Sequence, residues 1–252
     1  MKRALEITTN LPCTVNCSYC PQKKLRDSYS LQGQAEHMSI DNFTLVLDKL
    51  PGDVEIHFSG FSEPFLNWQT IDMVSYALSE GHKVIIYTTG TGIGKTDISI
   101  LKDWFDETDL FVHVSKNIWD KKVVEALKQL DFTLVVVGVT TARLQGVFPG
   151  RKVIKQDMVS RAGNLGFVDQ HAQGAIGCRD NRQYQNVLLP NGDVAICCMD
   201  YGLEYIIGNL YKQEYEDLFK SDKFLAFLEQ MKNGDKDFLC RKCFRAYANN
   251  NT

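Results

Sequence analysis

Eight cysteines are spread unevenly along the 252-residue chain. Cys13, Cys17 and Cys20 lie together in "CTVNCSYC", none follows until Cys178, and Cys197, Cys198, Cys240 and Cys243 complete the set. Thiolates are ligands for zinc and for iron–sulfur clusters; a structural zinc takes four protein ligands, and a four-iron cluster has four iron corners. A trio therefore leaves one metal position without a protein ligand. The N-terminal "MKRALEITTN" reaches Glu6 after Ala4 and Leu5, so it holds no hydrophobic signal segment. The longest strongly apolar stretch, "FTLVVVGV", is far short of the ~18 residues that span a bilayer. Both features predict a cytoplasmic protein without a membrane partner, in a compartment where thiols stay reduced and read as metal ligands or catalytic groups before disulfides.

Composition sets the frame for these thiols. With 44% hydrophobic and 23% charged residues the chain can bury a real core, as one large domain or a domain with an appendage. A net charge of -3 and a pI near 6.0 give no basic surplus for a phosphate backbone, so nucleic acid is not expected as a partner.

The elements that must position the thiols alternate between strand and helix. "LEITT" (5 to 9), "DVEIHFSG" (53 to 60), "HKVIIYTTG" (82 to 90), "DLFVHVS" (109 to 115) and "FTLVVVGV" (132 to 139) are short and rich in β-branched and aromatic residues. Helical spacing follows each of the middle strands or precedes it. Ile40, Phe43, Leu47 and Leu50 follow a Ser39 cap; Ile71, Val74 and Leu78 precede Gly81; Ile98, Leu101 and Phe105 follow Asp97; Val123, Leu127 and Leu130 form a fourth set. Repeated strand–helix units imply a parallel sheet with right-handed crossovers. Alternate residues share a strand face, so Glu55, His57 and Ser59 point together, as do Tyr87 and Thr89, and His113 and Ser115. Val54, Ile56, Phe58, Ile86, Val112 and Val114 point the other way. One apolar and one polar face predict a curled sheet whose concave side holds a polar ligand.

The C-x3-C-x2-C spacing of "CTVNCSYC", directly after the first strand, resembles the radical SAM family, and the strand–helix series resembles its partial (β/α)6 barrel. The resemblance implies that Cys13, Cys17 and Cys20 bind a 4Fe-4S cluster whose fourth iron is chelated by S-adenosyl-L-methionine. "FSGFSEP" (58 to 64) is similar to the family's strand-end Gly-Glu-Pro, with Ser62 where a Gly is usual. It implies that Gly60 lets backbone approach the methionine moiety and that Glu63 accepts from its amino group. Tyr19 resembles the aromatic beside the adenine, and Ser115 stands where the family often has a polar contact to the ribose or methionine.

A phosphate-loop reading of "TTGTGIGKT" (88 to 96) fails, because the G-x4-G-K-[ST] pattern counts back from Lys95 to Thr89 rather than to a glycine. The C-terminal third, with "VLLPNGDVAICCMD", "IGNL", an amphipathic helix around Leu218, Phe219, Phe224, Phe227 and Leu228, and "CRKC", resembles the twitch domain, the shortened form of the SPASM extension. "NGDV" predicts a hairpin turn. The resemblance implies a second, auxiliary 4Fe-4S cluster on Cys178, Cys197, Cys240 and Cys243, a closed set. Gly192, five positions earlier, favours Cys197 over Cys198 as the ligand; zinc on the same thiolates is the alternative. The expected domains are 1–165, the partial barrel, and 166–252, the twitch domain with a short β-hairpin and a helix.

Together these imply an α/β radical SAM oxidoreductase. S-adenosylmethionine is cleaved reductively to a 5'-deoxyadenosyl radical, a substrate hydrogen atom is abstracted, and the auxiliary cluster accepts the odd electron, as in a dehydrogenase. An electron donor such as flavodoxin or ferredoxin is then required. In length and cysteine spacing the chain is similar to twitch-domain dehydrogenases that oxidise a secondary alcohol of an aminocyclitol. That places substrate-binding or proton-accepting duty on Arg161, in "SRAGN" 17 residues before Cys178, with an ordinary salt bridge or a clamp on the carboxylate of S-adenosylmethionine as the alternative. Peptide modification is the alternative enzyme reading, and a non-catalytic iron–sulfur or zinc protein the alternative class. The ten residues up to the end of the first strand and the tail "FRAYANNNT" are too short for a leader-binding domain, so none is expected in this chain, which favours a small-molecule substrate although such a unit can be a separate chain. "LRDSYSLQGQAEH" (25 to 37) is expected as a loop over the site.

Overall fold

A computed structural model describes residues 3–31, 35–104, 108–137, 142–233 and 236–249. Six parallel strands, β1 (Ala4–Ile7), β2 (Glu55–Phe58), β3 (Val84–Thr88), β4 (Thr108–His113), β5 (Thr133–Val137) and β6 (Val153–Gln156), lie side by side in chain order. The five strands read from sequence are all present. β6 is the addition, a strand whose only apolar residues are Val153 and Ile154. Gly138 and Val139, at the end of the fifth predicted strand, and Phe105, at the end of the third predicted helix, lie outside the described residues.

Helices α2 (Ile40–Leu47), α3 (Thr70–Ser79), α4 (Lys95–Asp103) and α5 (Lys121–Leu127) fall where the periodicity predicts them, and α6 (Ala142–Val147) precedes β6. Ser39 caps α2 by accepting the Asn42 N–H at 3.2 Å. The cap of α4 differs from expectation: the helix starts after Gly94, and Asp97 sits inside its first turn, accepting the Gly94 N–H at 2.7 Å. A carboxylate three residues in reaches back to an orphan donor as well as one at the cap itself reaches forward. Phe43, Val74, Leu101 and Leu127 of these helices meet Ile56, Phe58, Ile86 and Val112 of the strands in one core, each side chain contributing roughly 1.5–3 kcal/mol by leaving water.

The predicted hairpin is β8 (Gln185–Leu188) and β9 (Asp193–Ala195). It does not stand apart: β8 pairs in parallel with β1, Leu188 opposite Ile7, and β10 (Ile206–Asn209) extends the sheet beyond β9, giving nine strands in all. Gly192 makes the turn at φ +85°, and a Cβ there would meet the Tyr211 ring at 2.5 Å, so only glycine fits. The single predicted C-terminal helix is two, α7 (Tyr215–Leu218) and α8 (Asp222–Asn233). β7 (Ile176–Cys178) and β11 (Ala246–Ala248) pair antiparallel and set Cys178 opposite Ala246, near the "CRKC" turn. The loop expected over 25–37 is in part α1 (Gln22–Ser30); residues 32–34 lie outside the described residues. Leu25 and Tyr29 of α1 pack on Val187, Leu189 and Ala195 of the hairpin, which holds an otherwise polar segment helical. No helix of the described residues is long and apolar enough to cross a membrane.

Candidate active site

The polar face of the sheet opens on a cavity of about 520 Å³. Glu6, His57, Ser59, Tyr87 and His113 line it from the strands, in the phase the alternation predicts, and Cys13, Cys17 and Cys20 line its mouth from the segment after β1. The trio is wound into turns, with Asn16 left-handed at φ 53° and the Cys20 N–H bonded to the Cys17 carbonyl at 3.1 Å. Gln22 Nε2 donates to Cys20 Sγ at 3.4 Å, and the Tyr201 hydroxyl lies 3.7 Å from the same sulfur. Burial pushes the Cys13 thiol up and the Cys17 thiol up to about 11, so positive charge at the site is needed to hold them as thiolates.

Glu63 is 3% exposed and lies on the wall. Its oxygens accept from Thr88 Oγ1 at 2.6 Å, the Thr89 N–H at 2.5 Å, Thr89 Oγ1 at 2.6 Å and the Phe65 N–H at 3.2 Å. Burial raises its pKa; the hydrogen bonds from Thr88 and Thr89 oppose the rise. The discounted phosphate-loop segment thus supplies donors to this carboxylate. Gly60, at φ +64°, also lines the cavity, and a Cβ there would strike Thr8 Oγ1 at 2.5 Å. Tyr19 lines it too, its hydroxyl donating to the Val114 carbonyl at 3.1 Å. Ser115 is the one cofactor candidate not on the wall: it is 7% exposed and its Oγ accepts the Asn117 N–H at 3.2 Å, capping a turn of 3-10 helix at Lys116–Trp119.

Arg161 faces the same cavity. It and Ala162 adopt left-handed backbone, φ 53° and 56°, a costly pair for residues with a Cβ. His113 stays neutral, held down to about 4 by burial and by the Arg161 charge.

A second, smaller cavity is walled by Cys178, Cys197, Cys240 and Cys243 with the apolar Ile196, Phe227, Met231 and Leu239. Cys178 comes from β7, Cys197 follows the β9 strand, and Cys240 and Cys243 form a turn closed by the Cys243 N–H on the Cys240 carbonyl at 3.1 Å. Burial pushes Cys197 and Cys240 well above the ordinary thiol range and Cys243 up to about 11. Cys198 lines the large cavity instead. Among the described residues no three metal-binding side chains converge on a point where a single ion would sit. Arg182, Met199 and Arg245, which the motifs do not reveal, line both cavities.

The fold and the two thiol sites are similar to those of radical SAM proteins that carry a C-terminal SPASM-type segment. Residues 178–244 match the family model "SPASM: Iron-sulfur cluster-binding domain". Over 260 aligned positions the chain is 23% identical to an S-adenosyl-L-methionine-dependent 2-deoxy-scyllo-inosamine dehydrogenase of Niallia circulans, covering 95% of this chain and 91% of that protein. Among solved structures, BtrN in complex with AdoMet and 2-DOIA matches with a TM-score of 0.63 at 17% identity, covering 98% of this chain and 94% of that one. SuiB of Streptococcus suis bound to the precursor peptide SuiA matches with a TM-score of 0.66 at 12% identity, over 96% of this chain and 70% of that one.

Proposed function

We propose that the protein is a radical SAM dehydrogenase that oxidises an alcohol carbon of a small polar substrate held between the two thiol sites. The observation that carries this reading is the shared wall: Arg182, Met199 and Arg245 face both the cavity bounded by the open trio and the one bounded by four cysteines. A substrate in the large cavity therefore has a site for a radical-generating cofactor on one side and a site for an electron acceptor on the other. When bound, the two 4Fe-4S clusters and S-adenosylmethionine supply sulfonium reduction, hydrogen-atom abstraction and acceptance of the remaining electron.

The chain's own residues bind, orient and exclude water. Cys13, Cys17 and Cys20 hold the open cluster, and Cys178, Cys197, Cys240 and Cys243 the closed one. Glu63, fixed by Thr88 and Thr89, would accept from the amino group of S-adenosylmethionine, Gly60 keeps the strand end narrow for it, and Tyr19 would hold the adenine. Ser115 caps the 3-10 turn at Lys116–Trp119 and would act on the cofactor only by positioning that turn. Arg161 binds substrate or the cofactor carboxylate, and neutral His113 offers a ring nitrogen to a hydroxyl. A flavodoxin or ferredoxin supplies the electron.

The relative's name makes 2-deoxy-scyllo-inosamine the first substrate to test. Anaerobically reconstituted, reduced protein should form 5'-deoxyadenosine and the ketone in equal amounts. Cofactor cleavage with no ketone, but with oxidation of an added peptide, would move the reading to peptide modification, the substrate class in the SuiB complex. Absence of cofactor cleavage under any condition would remove the enzyme reading.

A further inference from the structure

Arg182 and Arg245, on the wall shared by the cavities, each bury an Nε–H that meets no acceptor among the described residues. Leaving a buried donor unpaired costs about 1–3 kcal/mol, and more on a charged group. The ends of both side chains are engaged. Arg182 Nη1 donates to Glu6 Oε1 at 3.0 Å and lies 3.5 Å from Cys198 Sγ, while Arg245 Nη1 pairs with Asp180. Glu6 is itself held by Ser59, whose Oγ donates to Oε2 at 3.0 Å. The wall already turns one donor to a ligand thiol, since the Arg182 backbone N–H points at Cys178 Sγ at 3.4 Å.

A 4Fe-4S cluster on four thiolates carries a charge of roughly -2, and one more negative charge when reduced. Apart from Gln183 and the two arginines, the rest of the cavity around these thiols is apolar, with Ile196, Met199, Phe227, Met231 and Leu239, and offers no other positive charge to stabilise the cluster. The two guanidinium groups at its wall, on side chains 27% and 28% exposed but each with a buried, unpaired Nε–H, supply it. Resting on the assignment of this cavity to the auxiliary cluster, we infer that Arg182 and Arg245 tune that cluster: their Nε–H groups donate to its sulfurs, and their charges favour its reduced form. Hydrogen bonds to sulfur and nearby positive charge both raise a cluster's potential. With that cluster bound, the residues would serve a step in which one electron leaves the substrate radical and the hydroxyl proton goes to the His113 ring nitrogen, leaving the carbonyl. Glu6 and Ser59 act as positioning residues that hold Arg182 against the wall.

The test is a redox titration followed by electron paramagnetic resonance on full-length protein reconstituted with iron and sulfide. The auxiliary signal is identified by its persistence when Cys13, Cys17 and Cys20 are replaced by Ala. At the wild-type midpoint, Arg182→Gln combined with Arg245→Gln should lower the reduced-to-oxidised ratio of the auxiliary cluster about tenfold, which is about 59 mV for one electron. The midpoint of the open cluster should not move. Lys at both positions, which keeps the charge without the Nε–H, should recover part of the loss. A second readout needs no variant: wild-type protein labelled with 15N-arginine should show an arginine-nitrogen coupling on the reduced auxiliary cluster. An unchanged ratio at full iron loading, or no such coupling, would overturn the inference and leave the dehydrogenase reading standing. An iron content showing no auxiliary cluster would overturn both.

Discussion

Cys197 and Cys198 are neighbours in sequence that face different cavities, from the turn that follows β9. Cys198→Ala should therefore keep about eight irons per chain, whereas Cys197→Ala should fall to about four, as measured by iron and sulfide content after anaerobic reconstitution. His113 carries a prediction in pH. Its folded pKa, about 4, lies below the ordinary histidine value of 6.5, with burial as the main cause and Arg161 second; the Tyr87 ring, 5.8 Å away, offers no charge to offset them. Between these values the unfolded chain binds the extra proton, so this contribution is full above pH 6.5 and is lost as pH falls toward 4. It amounts to about 3 kcal/mol at most. His113→Gln should flatten the slope of urea midpoints against pH in that window, and an unchanged slope would assign the titration elsewhere.

At the scale of elements, the hairpin of β8 and β9 decides whether Cys197 reaches its partners. Gly192 sets its turn, with the N–H bonded to the Leu189 carbonyl at 2.9 Å and Asn191 Nδ2 donating to Asp193 Oδ2 at 2.6 Å. A side chain there adds left-handed strain of about 1–2 kcal/mol to a clash with Tyr211. Gly192→Ala should lower the thermal midpoint by roughly 4–8 °C. Auxiliary iron should be lost before iron held by the trio, which calorimetry alongside iron content would show. α1 illustrates the opposite case, an element held in place by contacts more than by its own residues. "QKKLRDSYS" places only Leu25 and Tyr29 on an apolar stripe, too few to identify a helix before the hairpin beneath them is known.

For the whole molecule, the pairing of β8 with β1 makes one sheet from segments about 180 positions apart in the chain. Leu188 is fully buried in the same core as Leu5 and Ile56, so Leu188→Ala should cost about 2–5 kcal/mol. Because barrel and twitch segment share that core, far-ultraviolet circular dichroism and cluster absorbance should report a single transition. Two transitions, with the C-terminal one first, would show that residues 166–252 unfold as a separate body.

The sequence by itself determined what depends on local order. Cys13, Cys17 and Cys20 can share a metal because of their spacing alone, the five strands show in their alternation, Ser39 marks the start of α2, and Asn191-Gly192 marks a turn. Tertiary structure decided what depends on distant partners. Nothing near Glu6 announces Arg182, 176 positions away, and no periodicity links Arg182 to Arg245. Which of Cys197 and Cys198 faces the four-cysteine cavity depends on how the turn after β9 is placed and on β7 and β11 pairing to bring in Cys178. Thiol spacing is written along one chain segment, whereas the charge around the auxiliary site is assembled only when the sheet curls and distant segments of the chain meet.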